Sequence, residues 1–364
     1  MQHRRVLLTR SDVRLAGPGV LMFAIAGAMR DRGWHVELAV GSDAGTARFI
    51  ESGFAVHIVP GLALGDRSAG RMAKGAATLR RIIAGAGFDV VHSFNAHAGL
   101  MAWIAGFGCG VKVVNTVQGE GKEGLLKRMP FPLLAVSEFM RHNLIHYGVK
   151  PRRIRTVLNS IMTPERVLPD KAAFDAAWSN RGQSEDEFRL VGIAMMNGDK
   201  GHRASIEAFA QFVERKPQHR ATLTLVGDGT LRPSLEAFAK ERGVGNLVRF
   251  TGALDNVFDE LDRAHAFLHL SPKETFGLVL AEAHARGLPA IAYSIGGIPE
   301  VVANGESGIL CTLDDLDAVT TAIERLADDR GQCAVMGRRG LDRVRRLFMR
   351  DILAQRMENI YASL

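Results

Sequence analysis

The chain is poor in cysteine and aromatic residues and has no long apolar run. Cys109, Cys311 and Cys333 are odd in number, far apart and set in apolar or helical surroundings, which argues against both a disulfide framework and a zinc site. Two long apolar stretches, Leu15 to Met29 and Ala96 to Val111, fall short of the roughly 20 residues that span a bilayer and contain glycine. Both read as buried helices, and no membrane span is expected. Met1-Gln-His-Arg-Arg5, a short apolar run and Arg10 lack the apolar core and cleavage site of a signal peptide, and the cysteine usage makes the cytoplasm the expected compartment. Aromatics make up 7% of the chain, and with no recognisable binding motif a nucleic-acid partner is not expected. Short-period repeats and low-complexity tracts are missing too.

What is present suits a chain of two folded domains. A chain of 364 residues with 47% hydrophobic content can bury two cores. The net charge of +7 is unevenly spread: residues 1–170 hold 22 Lys/Arg against 12 Asp/Glu, leaving 24 against 27 for the rest. Arg67, Arg71, Lys74, Arg80 and Arg81 fall in or near one expected helix. Lys122, Lys127 and Arg128 flank Leu125, Leu126, Met129, Phe131 and Pro132. Basic residues interleaved with apolar ones suit peripheral contact with an anionic membrane, although a solvated helix face and an ordinary loop explain them equally well.

Short β-branched runs alternate with helical stretches, from Arg5–Thr9 and Gly17–Arg30 through Val90–His92 and Ala98–Phe107 to Lys112–Val117. The pattern weakens over Pro164–Gln183, a candidate linker. It then resumes from Leu190–Ala194 through Ala290–Tyr293 and ends in helices over Leu316–Ala327 and Ala334–Tyr361. This is the mark of α/β, doubly wound parallel sheets. The expected domains are 1–165 and 166–349, both Rossmann-like, with a terminal helix over about 350–364 returning to the first. A ligand is expected in a central cleft between them, beyond the carboxyl ends of the strands.

The most informative segment is Ser271 to Pro289, in which Glu274 and Glu282 bracket a helix start. Carboxylates accept paired hydrogen bonds from sugar hydroxyls, while the backbone N–H groups around Phe276, Gly277 and Leu278 form a ready anion site. On its own such a pair is an ordinary feature of an amphipathic helix, one glutamate capping it and the other solvated. The neighbouring turns give it weight. Asn197-Gly-Asp-Lys-Gly-His202 places Lys200 after a strand and before a helix, where it can neutralise a diphosphate. Val226-Gly-Asp-Gly229 and Ser294-Ile-Gly-Gly-Ile-Pro-Glu300 follow other strands, and Gly227 allows close approach of a backbone. In the first half, Arg14-Leu-Ala-Gly-Pro-Gly19 makes a glycine-rich first βα turn, short of the full dinucleotide-binding spacing.

Together, Asp199-Lys-Gly-His202, Val226-Gly-Asp-Gly229, Phe250-Thr-Gly252, the Glu274/Glu282 pair with Phe276-Gly277, Gly287-Leu-Pro289, Gly296-Gly-Ile-Pro-Glu-Val301 and Gly305-Glu-Ser-Gly308 resemble the retaining GT-B glycosyltransferases of family 4. Asp89-Val-Val-His92 and Ala135-Val-Ser137 are similar to segments of that family's first domain. The resemblance implies a GT-B fold and a nucleotide-sugar donor. It assigns Glu282 to the donor ribose, Lys200 to its diphosphate and Glu274 to the transferred sugar. Phe276, Gly277 and Leu278 would offer backbone N–H groups to the donor, with Gly17, Gly19 and Gly227 near it. Arg14, His92, His97 and Gln118 are expected on the acceptor side, His92 being equally explained as a structural residue. No metal or other cofactor is expected, the lysine and helix start stabilising the leaving diphosphate; Asp315-Leu-Asp317 reads as a helix cap rather than a metal site.

Two positions depart from the family. Where it often has a histidine after the fifth strand, this chain has Gln118, which binds hydroxyls but carries no proton at neutral pH. Where it commonly has an arginine before the lysine, Met195, Met196 and Asn197 stand. The leading expectation is sugar transfer to a cell-envelope glycan or lipid-linked acceptor at the cytoplasmic membrane face. The rivals are a non-catalytic relative that binds nucleotide-sugar or glycan as a partner protein, and a sugar-nucleotide epimerase.

Overall fold

In the computed structural model, residues 4–14, 17–161, 168–182, 187–198 and 200–364 are described. They fall into two units, one of residues 1–164 with 348–364, the other of residues 165–347.

The first unit is built on seven parallel strands: β1 (Arg5–Arg10), β2 (His35–Val40), β3 (Ala55–Ile58), β4 (Val90–Ser93), β5 (Lys112–Val117), β6 (Leu133–Ala135) and β7 (Ile154–Thr156). Their order is β3-β2-β1-β4-β5-β6-β7. Val6, Leu7 and Leu8 are buried on consecutive positions, as a strand covered on both faces requires. Leu7 and Val91 share one apolar cluster with Leu79 and Ile83 of the helix Ala69–Ala86 and with Met101 and Ala102 of the helix Ala96–Gly106.

The C-terminal helix Arg350–Ala362 belongs to this unit and packs on the helix Gly17–Asp31. Gly27 makes room for it, because a β-carbon there would meet the Arg350 guanidinium. That guanidinium pairs with Asp31 at 2.6 Å. Trp34 donates its indole N–H to Glu358 at 3.2 Å and packs edge-to-face on Tyr361. The helical stretch expected over Ala334–Tyr361 is two helices, Arg330–Leu347 and Arg350–Ala362, separated at Phe348 and Met349. The Phe348 carbonyl accepts from Ile161 N.

The second unit has six parallel strands: β8 (Glu187–Ile193), β9 (Arg220–Val226), β10 (Val248–Gly252), β11 (Ala266–His269), β12 (Ala290–Tyr293) and β13 (Gly308–Cys311), ordered β10-β9-β8-β11-β12-β13. Its helix Lys171–Gly182 lies in the stretch expected to be a linker. Aromatic anchors hold it: Phe174 occupies the space beside Gly287, and Trp178 Nε1 donates to the Gly287 carbonyl at 3.3 Å. Arg181 adds donors to the Asp262, Leu261 and Arg286 carbonyls.

Strand order turns back between β1 and β4 in one sheet and between β8 and β11 in the other. Loops leaving the carboxyl ends of such a strand pair diverge to opposite faces and open a crevice. Lys200 and Glu274 follow β8 and β11 at one of these places, and Arg14 follows β1 at the other.

Candidate functional site

In the second unit, the loop after β8 brings Lys200 to the loop after β11. Gly201, at φ +77°, caps the helix His202–Arg215 and lies against the Leu270 carbonyl, where a β-carbon would overlap it. This contact sets Lys200 beside Glu274, with Nζ to Oε2 at 3.6 Å. His269, the last residue of β11, comes to the same oxygen from the other strand end, Nε2 to Oε2 again 3.6 Å. That separation is an electrostatic contact, longer than a hydrogen bond. His269 is buried, while Lys200 and Glu274 are partly open. Burial opposes the charge on Glu274, but His269, Lys200 and the Thr275 N–H outweigh it and hold the carboxyl below its ordinary range. The result is a carboxylate kept ionised between two nitrogen-bearing side chains at a strand switch point.

The helix Leu278–Ala285 begins immediately after this carboxylate. Gly277 caps it at φ +92°, a conformation that favours glycine. Its first N–H groups carry the positive end of its dipole, that of Leu280 turning back to the Gly277 carbonyl at 3.0 Å. Phe276 turns its ring into the core, so only its backbone faces the turn. Glu282 is the fifth residue of the helix, half-buried and on the same face as Leu278. It therefore sits a little over one turn in.

Several glycines owe their place to packing between adjacent loops. A β-carbon on Gly227, at φ +135°, would overlap the Ala194 carbonyl; one on Gly229 would meet Met196 and Asn197. Asn197 Oδ1 accepts from Thr230 N at 2.8 Å, Met196 is buried, and Met195 is 61% exposed. Gly296 and Gly297 lie under the carbonyls of Glu274 and Thr275. Asp315 caps the helix Leu316–Asp328 by accepting from Ala318 N at 2.9 Å, as expected of a cap. Among the described residues no group of three or more His, Cys, Asp or Glu side chains is arranged to hold a metal ion.

In the first unit His92 requires correction as an acceptor-side residue. It is fully buried, with Nδ1 2.7 Å from Tyr361 Oη, Nε2 2.6 Å from Thr116 Oγ1 and its ring stacked on Phe94. Burial drives its pKa down to about 3, so it is a neutral core residue that ties β4 and β5 to the terminal helix. His97 is half-buried and donates Nε2–H to the Gly61 carbonyl at 2.8 Å; burial, with Arg67 and Lys122 nearby, lowers its pKa. Gln118 lines a cavity at the ends of β1, β4 and β5. Arg14 is exposed, and its carbonyl lies against Gly19. Gly17 opens the first helix, while Leu15 and Ala16 of the glycine-rich turn lie outside the described residues, as does Asp199. The sequence reading missed His269, although its place at the carboxyl end of a strand beside the switch point was a signal.

Residues 176–343 match the family model described as glycosyl transferases group 1, and residues 15–163 match that of glycosyltransferase family 4. An N-acetyl-alpha-D-glucosaminyl L-malate synthase of Bacillus anthracis is 36% identical over 224 residues, covering 60% of this chain and 57% of that protein. Thus the chain is matched over little more than half that relative's length. The Anabaena protein Alr3699/HepE, crystallised in complex with UDP and glucose, superposes with a TM-score of 0.80 at 20% identity, with all of both chains covered. The lipopolysaccharide outer core galactosyltransferase WaaB gives 0.78 at 15% identity, covering 99% of this chain and 100% of that one.

Proposed function

Starting from a chain whose halves carry the family 4 and group 1 domains of the GT-B fold, we propose a retaining, metal-independent glycosyltransferase. It moves a sugar from a nucleoside diphosphate to a hydroxyl of a cell-envelope glycan or lipid-linked acceptor, working at the cytoplasmic membrane face. The observation that carries this reading is the Lys200–Glu274–His269 cluster beside the start of the helix Leu278–Ala285.

Lys200 and the N–H groups of Phe276, Gly277 and Leu278 take the negative charge that grows on the departing diphosphate. Glu282 accepts hydrogen bonds from the donor ribose, and Glu274, kept ionised, receives those of the transferred sugar. Gly17, Gly19 and Gly227 belong to the turns that border the donor, Gly19 and Gly227 letting those turns pack against the Arg14 and Ala194 carbonyls. Arg14, His97 and Gln118 serve the acceptor. The bond from the anomeric carbon to the phosphate oxygen breaks while the acceptor oxygen bonds on the same face, and the acceptor proton passes to the leaving phosphate oxygen. Gln118, which cannot take a proton, is compatible with that route.

Support for an envelope acceptor comes from the basic first unit and an exposed apolar edge. Trp103, Ile104 and Phe107 are 39%, 51% and 74% exposed, and Lys112 lines the same shallow concavity as Trp103 and Phe107. No helix among the described residues is long and apolar enough to cross a membrane. The second reading, a non-catalytic partner protein, rests on Met195 standing exposed where a second cation is expected. Incubating the protein with radiolabelled donor and a membrane fraction tests the proposal. Label should enter lipid or polymer, whereas label confined to small water-soluble products overturns the acceptor class, and intact donor throughout favours the non-catalytic reading.

A further inference from the structure

The first unit holds a cavity of about 220 Å³ at the carboxyl ends of β1, β4 and β5, lined by Arg10, Asn95, Gln118, Glu120 and Lys122 among others. Among the described residues Arg10 makes no ion pair or side-chain hydrogen bond, and its Nε is buried without a partner. Asp12 acts on it only through space, and burial lowers its pKa. Lys122 likewise has no ion pair among the described residues. Arg67 stands next to them: its guanidinium reaches Ser11 Oγ at 3.4 Å, and Asn95 Nδ2 donates to the same oxygen at 2.8 Å. Its own Nε is also buried without a partner.

A guanidinium that loses water without gaining a carboxylate is costly; among the described residues of this unit Arg48 bonds only the Val13 carbonyl, at 3.1 Å, whereas others gain a carboxylate. Arg5 pairs with Glu37 at 3.2 Å, and Arg350 with Asp31. Asn95 also caps the helix Ala96–Gly106, its Oδ1 accepting from Ala98 N, so the positive end of that helix faces the same place. Glu120 supplies one carboxylate to the lining against two cations.

We propose that this cavity binds an anionic group of the acceptor, a carboxylate or phosphate, through Arg10 and Lys122, with Arg67 adding positive potential and Asn95 and Gln118 adding neutral hydrogen bonds. The volume suits such a group with the first carbons of its carrier. Naming the ligand as the acceptor rests on the transferase reading; the anion site itself does not.

Isothermal titration of the full chain separates the cases. The probes are L-malate, inorganic phosphate, and whichever of UDP, GDP and ADP binds tightest. Arg10→Gln should weaken the better-bound of malate and phosphate by about tenfold or more, the loss of a charge-assisted contact. Lys122→Gln should weaken it less, and nucleoside diphosphate binding should stay within about twofold. Preference for malate or for phosphate identifies which anion the acceptor carries. Wild-type protein that binds neither anion overturns the proposal; so do variants that lose nucleoside diphosphate in step with the anion, which assigns the cations to the donor. Arg10-dependent anion binding in a protein that binds no nucleoside diphosphate leaves the site standing and removes the transferase reading. Should Arg10→Gln fail to fold, Arg10→Lys, expected to retain most of the affinity, and the exposed Lys122→Gln carry the test.

Discussion

Gly296 lies so close under the Glu274 carbonyl that a β-carbon at 296 would overlap its oxygen. The neighbouring Gly297 donates its N–H to that carbonyl at 3.2 Å, so the glycine pair fixes the backbone of the carboxylate. Gly296 also holds φ +54°. Gly296→Ala therefore combines an unfavourable backbone conformation with a steric overlap, and should cost about 2–4 kcal/mol. Thermal unfolding should show a clearly lowered melting temperature together with weakened donor binding, and a variant matching wild type in both removes this role.

The pairing of Glu274 with His269 and Lys200 has a pH signature. A carboxyl whose folded pKa is depressed contributes stability that is present above its unfolded pKa, about 4.3 for Glu, and lost as pH falls through the folded value. His269→Gln should move the Glu274 pKa up toward the ordinary range and reduce this contribution. A carbon-13 NMR titration of Glu274 reads the shift directly, and an unchanged pKa in the variant would show that His269 is a bystander.

His92 and His284 are buried and pushed down to about 3 and about 4 by burial. The sign follows from linkage: their neutral forms favour the folded state above the ordinary histidine pKa near 6.5. Stability then falls as pH drops from there toward the folded values, by up to about 1.4 kcal/mol per pH unit for each group. His92→Gln should flatten that slope by about one proton. It should also cost about 1–3 kcal/mol at pH 8 by disturbing the partners Tyr361 and Thr116. Urea unfolding at several pH values measures both effects.

Lys200→Ala should leave the fold intact and lower turnover by about a hundredfold, because the charge it supplies is needed most as the diphosphate departs. Its effect on KM for the donor should be smaller. Steady-state release of nucleoside diphosphate gives the two constants separately, and a folded variant with wild-type kcat takes Lys200 out of the chemistry.

Much of this was legible because parallel strands buried on both faces read as apolar runs, and β1, β8, β9 and β11 stand close to where those runs end. The strands β6 and β7 are three residues each, too short for a pattern to declare itself, and β13 begins with Gly308, placed there because a β-carbon would meet the Ala290 carbonyl. The helix Lys171–Gly182 looked loose in sequence because its anchors, Phe174 and Trp178, are only two residues and dock on glycines far along the chain. Within the candidate site, Glu274 and Lys200 declared themselves through their turns. His269 did not, since its meaning depends on the neighbouring strand end, and His92 looked accessible at a strand end until the terminal helix and Tyr361 covered it.

The most direct measurement follows nucleoside diphosphate release from a panel of UDP-, GDP- and ADP-sugars, alongside thermal shift for binding. The account predicts that one donor both raises the melting temperature and is slowly turned over, with release rising when an acceptor bearing a carboxylate or phosphate is added. Absence of binding to every donor in the panel would contradict it.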